Sequence, residues 1–298
     1  MDDVRSMKLT VMGLRTRVLE EGMASRGDPV VMIHGVGAWA ENWRAVMAPI
    51  AHTGRRAIAF DLPGFGESEA PGKVAHFGPT EPFYPRFVVA LLDALGVEKA
   101  HLVGSSMGGA VAYTSAVTAP GRTSSLVFVA GGGVGTEVAL FLRLCTIPGM
   151  RALARVFGRP EKAREVLRTC FYDARRIPQT LYEEAERYGY PAFGEFVSAL
   201  RSGVTIRGVK PSLRAFWTSQ ADRYRGPVLV IWGRQDAVLP VGHASEVPRL
   251  MPQAQVHLID NCGHLPMIEQ SEQFLAALLP FLEAAEAGPK LAPLNVAT

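Results

Sequence analysis

The chain has 298 residues, 48% hydrophobic and 20% charged, enough to bury a large core in one big domain or two smaller ones. A net charge of +3, from 31 basic and 28 acidic residues, is too small and too dispersed to suggest a nucleic-acid partner. Three cysteines, Cys145, Cys170 and Cys262, are odd in number and lack metal-ligand spacing, so they suggest neither a disulfide framework nor a zinc site and read as buried thiols.

The start, Met1-Asp-Asp-Val-Arg, carries acids where a secretory leader needs bases, and no apolar run reaches about 18 residues. A cytoplasmic protein with no membrane span is expected. In chain order, Lys8 to Met12 and Leu14 to Glu20 are predicted to pair antiparallel at a sheet edge, joined at Gly13. Further strands are predicted at Val30 to Ile33, Ala57 to Phe60, His101 to Val103, Leu126 to Val129, Val228 to Trp232 and Gln255 to Ile259. Most are continuous apolar runs, as strands buried on both faces show. Helices are predicted between them at Asn42 to Ala51, Pro82 to Leu95, Ser106 to Ala119, Gly242 to Met251 and Met267 to Ala287. That alternation gives an α/β fold: an eight-stranded, mostly parallel sheet with helices on both faces.

Residues 134 to 217 break the alternation, with no convincing strand run and breakers at Pro148, Pro160, Pro178, Pro191 and Pro211. They are predicted to form a helical insertion, leaving residues 1–133 and 218–287 as the core. The tail, 288–298, has two prolines and no periodicity and is expected to be extended or mobile.

The chemistry concentrates at strand ends. Gly104-Ser-Ser-Met-Gly108 follows a strand and opens a helix, the setting in which a Gly-x-Ser-x-Gly turn presents a nucleophile, here Ser106. A serine hydroxyl needs a base, and the base an orienting carboxylate. Asp236 lies just past Val228 to Trp232, and His264 lies in the loop after Gln255 to Ile259. The order serine, aspartate, histidine is that of the α/β-hydrolase arrangement. His34-Gly-Val follows Val30 to Ile33 and can aim an N–H at an oxyanion. Val36 and Met107 are the expected N–H donors, and Gly35 and Trp39 the expected substrate contacts.

These motifs, with Asp61-Leu-Pro-Gly-Phe-Gly-Glu-Ser68 and Cys262-Gly-His-Leu-Pro266, make the chain resemble the α/β-hydrolase superfamily, of the serine esterase and lipase type with a helical cap. The resemblance spans nearly the whole chain. It implies that residues 134–217 are the cap, that a small-molecule ester is the substrate, that no metal or organic cofactor is used, and that the protein is a monomer or dimer. Aspartate-nucleophile dehalogenases and epoxide hydrolases are disfavoured by Ser106. Carbon–carbon bond hydrolases of ring-cleavage pathways commonly follow the histidine with tryptophan, where Leu265 stands, so that reading ranks second. Lactone or thioester cleavage and a slow-turnover ligand receptor are further alternatives on the same residues.

Competing residues have plainer explanations. His257 reads as a packed or edge strand residue, His52, His76 and His243 as surface histidines, and Asp260 as a turn cap. Gly131-Gly-Gly-Val-Gly135 fails as a dinucleotide motif because Thr136 stands where its third glycine belongs. An acid after the sixth strand would have to be Glu137, and Asp236 is preferred.

Overall fold

The computed structural model describes residues 4–22, 26–78, 82–150, 160–189 and 191–287. The strands are β1 (Arg5–Val11), β2 (Leu14–Glu21), β3 (Val30–Ile33), β4 (Ala57–Phe60), β5 (Ala100–Ser105), β6 (Thr123–Val129), β7 (Val204–Thr205), β8 (Gly208–Val209), β9 (Val228–Gly233) and β10 (Ala254–Ile259). Eight of them form one sheet in the order β1-β2-β4-β3-β5-β6-β9-β10. The pairs β1–β2 and β2–β4 are antiparallel and the rest are parallel. The fold is therefore the eight-stranded, mostly parallel α/β sheet expected.

Alternate side chains on each central strand enter separate cores, which is why these runs are apolar throughout. Val31 and Ile33 of β3, Ile58 and Phe60 of β4 and Leu126 and Phe128 of β6 pack with the helices Phe83–Ala94 and Met107–Thr118. Val30 and Met32, Ala57 and Ala59, and Val127 and Val129 face the other way, onto Arg44–Ala51 and Ser271–Glu286. A single-face amphipathic strand could not serve both layers.

Three expectations are corrected. The connection from β6 to β9 holds helices at Leu140–Leu144, Pro160–Thr169, Gln179–Gly189, Phe193–Gly203 and Pro211–Gln220, but also the hairpin β7–β8, whose two-residue strands are too short to show alternation. The last predicted helix is two, Pro266–Glu269 and Ser271–Glu286, with Gln270 between them out of the helical conformation at φ −135° and ψ 49°. His76 and His243 are buried, His76 by pairing with Glu195 and His243 beside Glu137 at 3.0 Å. The predicted tail, 288–298, lies outside the described residues. Among the described residues, no helix is long and apolar enough to cross a membrane.

The end of the last helix is tied to the sheet by charge. Arg55, 1% exposed, donates to both oxygens of Glu286 at 3.1 and 2.7 Å, and His101 Nε2 lies 3.0 Å from the same carboxylate. Burial would raise the Glu286 carboxyl, but the hydrogen bonds from Arg55 and His101 outweigh it and hold it at about 2. A depressed folded-state value means that the stabilisation is complete above the ordinary value of 4.5 and disappears as pH falls toward 2. The Tm difference between wild type and E286Q is therefore expected to be full above about pH 4.5 and to shrink below it. Calorimetry across that range checks this, and a pH-independent difference would contradict it.

Candidate active site

Ser106 sits between β5 and the helix Met107–Thr118 at φ 53° and ψ −119°. Left-handed φ is unfavourable for a side-chain-bearing residue, costing about 1–3 kcal/mol. Main-chain bonds hold it there: its N–H donates to Val129 O at 3.0 Å, and its carbonyl accepts from Gly109 at 3.0 Å and Gly132 at 2.7 Å. The turn closes so tightly that a Cβ on Gly104 would lie 2.1 Å from the Gly108 carbonyl oxygen, and one on Gly108 would lie 2.1 Å from that of Ile33. Backbone, not a movable side chain, occupies the space in both cases. G108A is accordingly expected to destabilise by about 3 kcal/mol or more, at the upper end for overpacking, as read from urea unfolding midpoints. Stability within about 0.5 kcal/mol of wild type would refute the packing argument.

The aspartate and histidine meet as the sequence predicts. Asp236 follows β9, its side chain fully buried, and Oδ1 accepts N–H bonds from Val238 at 2.8 Å and Leu239 at 2.9 Å. Its Oδ2 lies 2.7 Å from His264 Nδ1. Three donors around one carboxylate offset its desolvation and fix the imidazole with Nε2 outward. Glu137, the alternative acid, pairs with His243 instead.

The loop after β3 packs against Ser106: a Cβ on Gly35 would lie 3.0 Å from Ser106 Cβ. His34 is fully buried and bridges this loop to the next turn, with Nδ1 2.7 Å from Gly35 O and Nε2 accepting from the Leu62 N–H at 2.8 Å. Burial lowers its pKa to about 4, so at neutral pH it is uncharged, donating through Nδ1 and accepting through Nε2. Asp61 supports the same corner, accepting from Ala40 N at 2.7 Å and Glu67 N at 2.8 Å.

Two cavities share Ser106 and Val36 in their walls. The larger, about 210 Å³, also takes in Gly35, Trp39, His264 and Leu265; the smaller, about 70 Å³, takes in Met107, Trp217 and His243. All seven predicted site residues except Asp236 thus border a cavity, and Asp236 reaches it through His264. Sequence reasoning missed Asn42, Phe141, Cys145, Cys170, Leu181 and Phe196, which line the larger cavity; except for Phe141 and Cys145, one turn apart on the same short helix, they come from separate elements. No sequence period links those on different elements. Of the three thiols expected to be buried, Cys262 is, whereas Cys145 and Cys170 are half-buried wall residues. Trp39 Nε1 donates to Glu184 at 2.7 Å, joining the loop after β3 to the segment between β6 and β9.

The sequence profile of the alpha/beta hydrolase fold family matches residues 28–271. The chain belongs to the α/β-hydrolase family. Over 285 residues this α/β-hydrolase is 29% identical to a 2-hydroxy-6-oxo-6-phenylhexa-2,4-dienoate hydrolase of Comamonas testosteroni, covering 92% of this chain and 94% of that one. It is 32% identical over 283 residues to the 2-hydroxymuconate semialdehyde hydrolase of Pseudomonas sp. strain CF600, covering 92% and 93%. Among solved structures, a membrane phospholipase A described as a bacterial virulence factor superposes with a TM-score of 0.78 at 26% identity, over 95% of this α/β-hydrolase and 87% of that chain.

Proposed function

We propose that this α/β-hydrolase is a serine hydrolase of ring-cleavage products, in which residues 134–217 cap a site made by the core 1–133 and 218–287. Ser106 attacks a substrate carbonyl, His264 takes and returns the proton, and Asp236 holds the imidazole. The N–H groups of Val36 and Met107 receive the oxyanion, and Gly35 and Trp39 shape the substrate wall. The observation that carries the reading is that Ser106 lines two cavities, which supports a substrate with a group on each side of the carbonyl.

The relatives' names favour this reading over the ester reading that Leu265 put first. In a 2-hydroxy-6-oxo-dienoate with a 6-phenyl group, carbon flanks the C6 carbonyl on both sides, so hydrolysis there breaks a carbon–carbon bond. A proton must first reach C5, converting the 2-enol to a 2-ketone. Ser106 then adds to C6, and C5 leaves with the bonding pair delocalised onto the 2-oxo oxygen. Proton return gives a five-carbon 2-hydroxydienoate, and water releases the acid from Ser106.

Ester hydrolysis is the second reading, favoured by the charge of the site. Among the described residues, no Lys or Arg lines either cavity, so a neutral apolar ester meets no missing partner, whereas a dienoate carboxylate meets no full positive charge and finds neutral donors such as Asn42, or His243 beside Glu137. Comparing kcat/KM for 2-hydroxy-6-oxo-6-phenylhexa-2,4-dienoate with that for p-nitrophenyl esters decides between them. A tenfold or greater preference for the dienoate is expected, and the reverse preference would put the ester first. S106A is expected to lose about 10⁴-fold or more on either substrate, as for a triad acting as a unit. Retained turnover would remove Ser106 from the mechanism.

A further inference from the structure

We infer that Glu269, which touches no substrate, is a positioning residue that locks the proposed base to the segment between β6 and β9. It lies five residues after His264, in the helix Pro266–Glu269, and is 4% exposed. A buried carboxylate needs donors, and the three it finds are all main-chain. Its Oε2 accepts from the Gly263 N–H at 2.7 Å and the Tyr172 N–H at 3.1 Å, and its Oε1 accepts from the Asp173 N–H at 2.7 Å. Its own carbonyl accepts from Arg176 Nη1 at 3.1 Å.

One carboxylate thus ties the residue before His264 to a stretch about ninety residues upstream. The two backbones also bond directly, because the His264 N–H donates to Cys170 O at 2.7 Å. Their separation is set by Gly263, where a Cβ would lie 2.6 Å from Cys170 O and 2.8 Å from Tyr172 N. Cys170 in turn lines the larger cavity beside His264. Residues 170–173 and 262–264 are therefore tied together through their main chains, and the imbalance caused by losing Glu269 falls on the Gly263 N–H, next to His264. Asp236 fixes the ring at Nδ1; Glu269 fixes the backbone that carries the ring.

E269Q tests this, since the amide keeps the shape but turns one accepting oxygen into a donor facing an N–H group. The inference rests on the reading of Ser106 and His264 as nucleophile and base, so the measurement is chosen to be independent of the natural substrate: the rate at which a fluorophosphonate labels Ser106. E269Q is expected to slow labelling by about 10- to 100-fold, the scale of a roughly 1 Å misplacement. It is also expected to shift the low-field proton resonance of the His264–Asp236 hydrogen bond, which a purely structural anchor would leave in place. Labelling within about twofold of wild type and an unshifted resonance overturn the inference, even if Tm falls. Failure of the wild type to label overturns the proposed function instead. Should E269Q not fold, E269D, which keeps the charge on a shorter stem, is held to the same two outcomes.

Discussion

The strained backbone of Ser106 is the constraint to which the other parts of the site are fitted. A residue at φ 53° keeps that conformation only when its surroundings leave no relaxed alternative. Here β3, β5 and β6 supply them: Ile33 O crowds Gly108 from one side, while Val129 O and the Gly132 N–H hold the Ser106 peptide units from the other. The two-sided core that keeps those strands in register therefore also holds the turn, because a shift of the sheet would release it.

Electrostatics follow the same economy. The site keeps its buried ionisable groups either neutral, as with His34, or surrounded by donors, as with Asp236 and Glu269. Little free charge competes with the fixed dipoles around Ser106, and dipoles act more strongly in a site of low dielectric. The apolar walls of the larger cavity extend that environment away from Ser106.

Much of this was legible in the sequence. Val30–Ile33 and Ala57–Phe60 were readable to the residue, because strands buried on both faces have no polar positions to blur their ends. The placement of Ser106, Asp236 and His264 after strands, and the meeting of the last two, were readable because each stands beside turn-forming glycine or polar residues. What escaped depends on distant pairing. His76 looks like a surface residue until Glu195 meets it, and Glu269 looks like any helical glutamate until residues 172 and 173 do. The β7–β8 hairpin escaped for a different reason, its strands being shorter than any period that could announce them.

The long connection from β6 to β9 joins parallel strands that are immediate neighbours in the sheet. Adjacent strands lie only about 5 Å apart, so whatever is inserted between them begins and ends against one fixed frame. Sequence drift can lengthen, shorten or rebuild that excursion without asking the sheet to adapt. Its freedom ends where it is tied back to the core, at residues 170–173 through Glu269, at Glu184 through Trp39 and at Glu195 through His76.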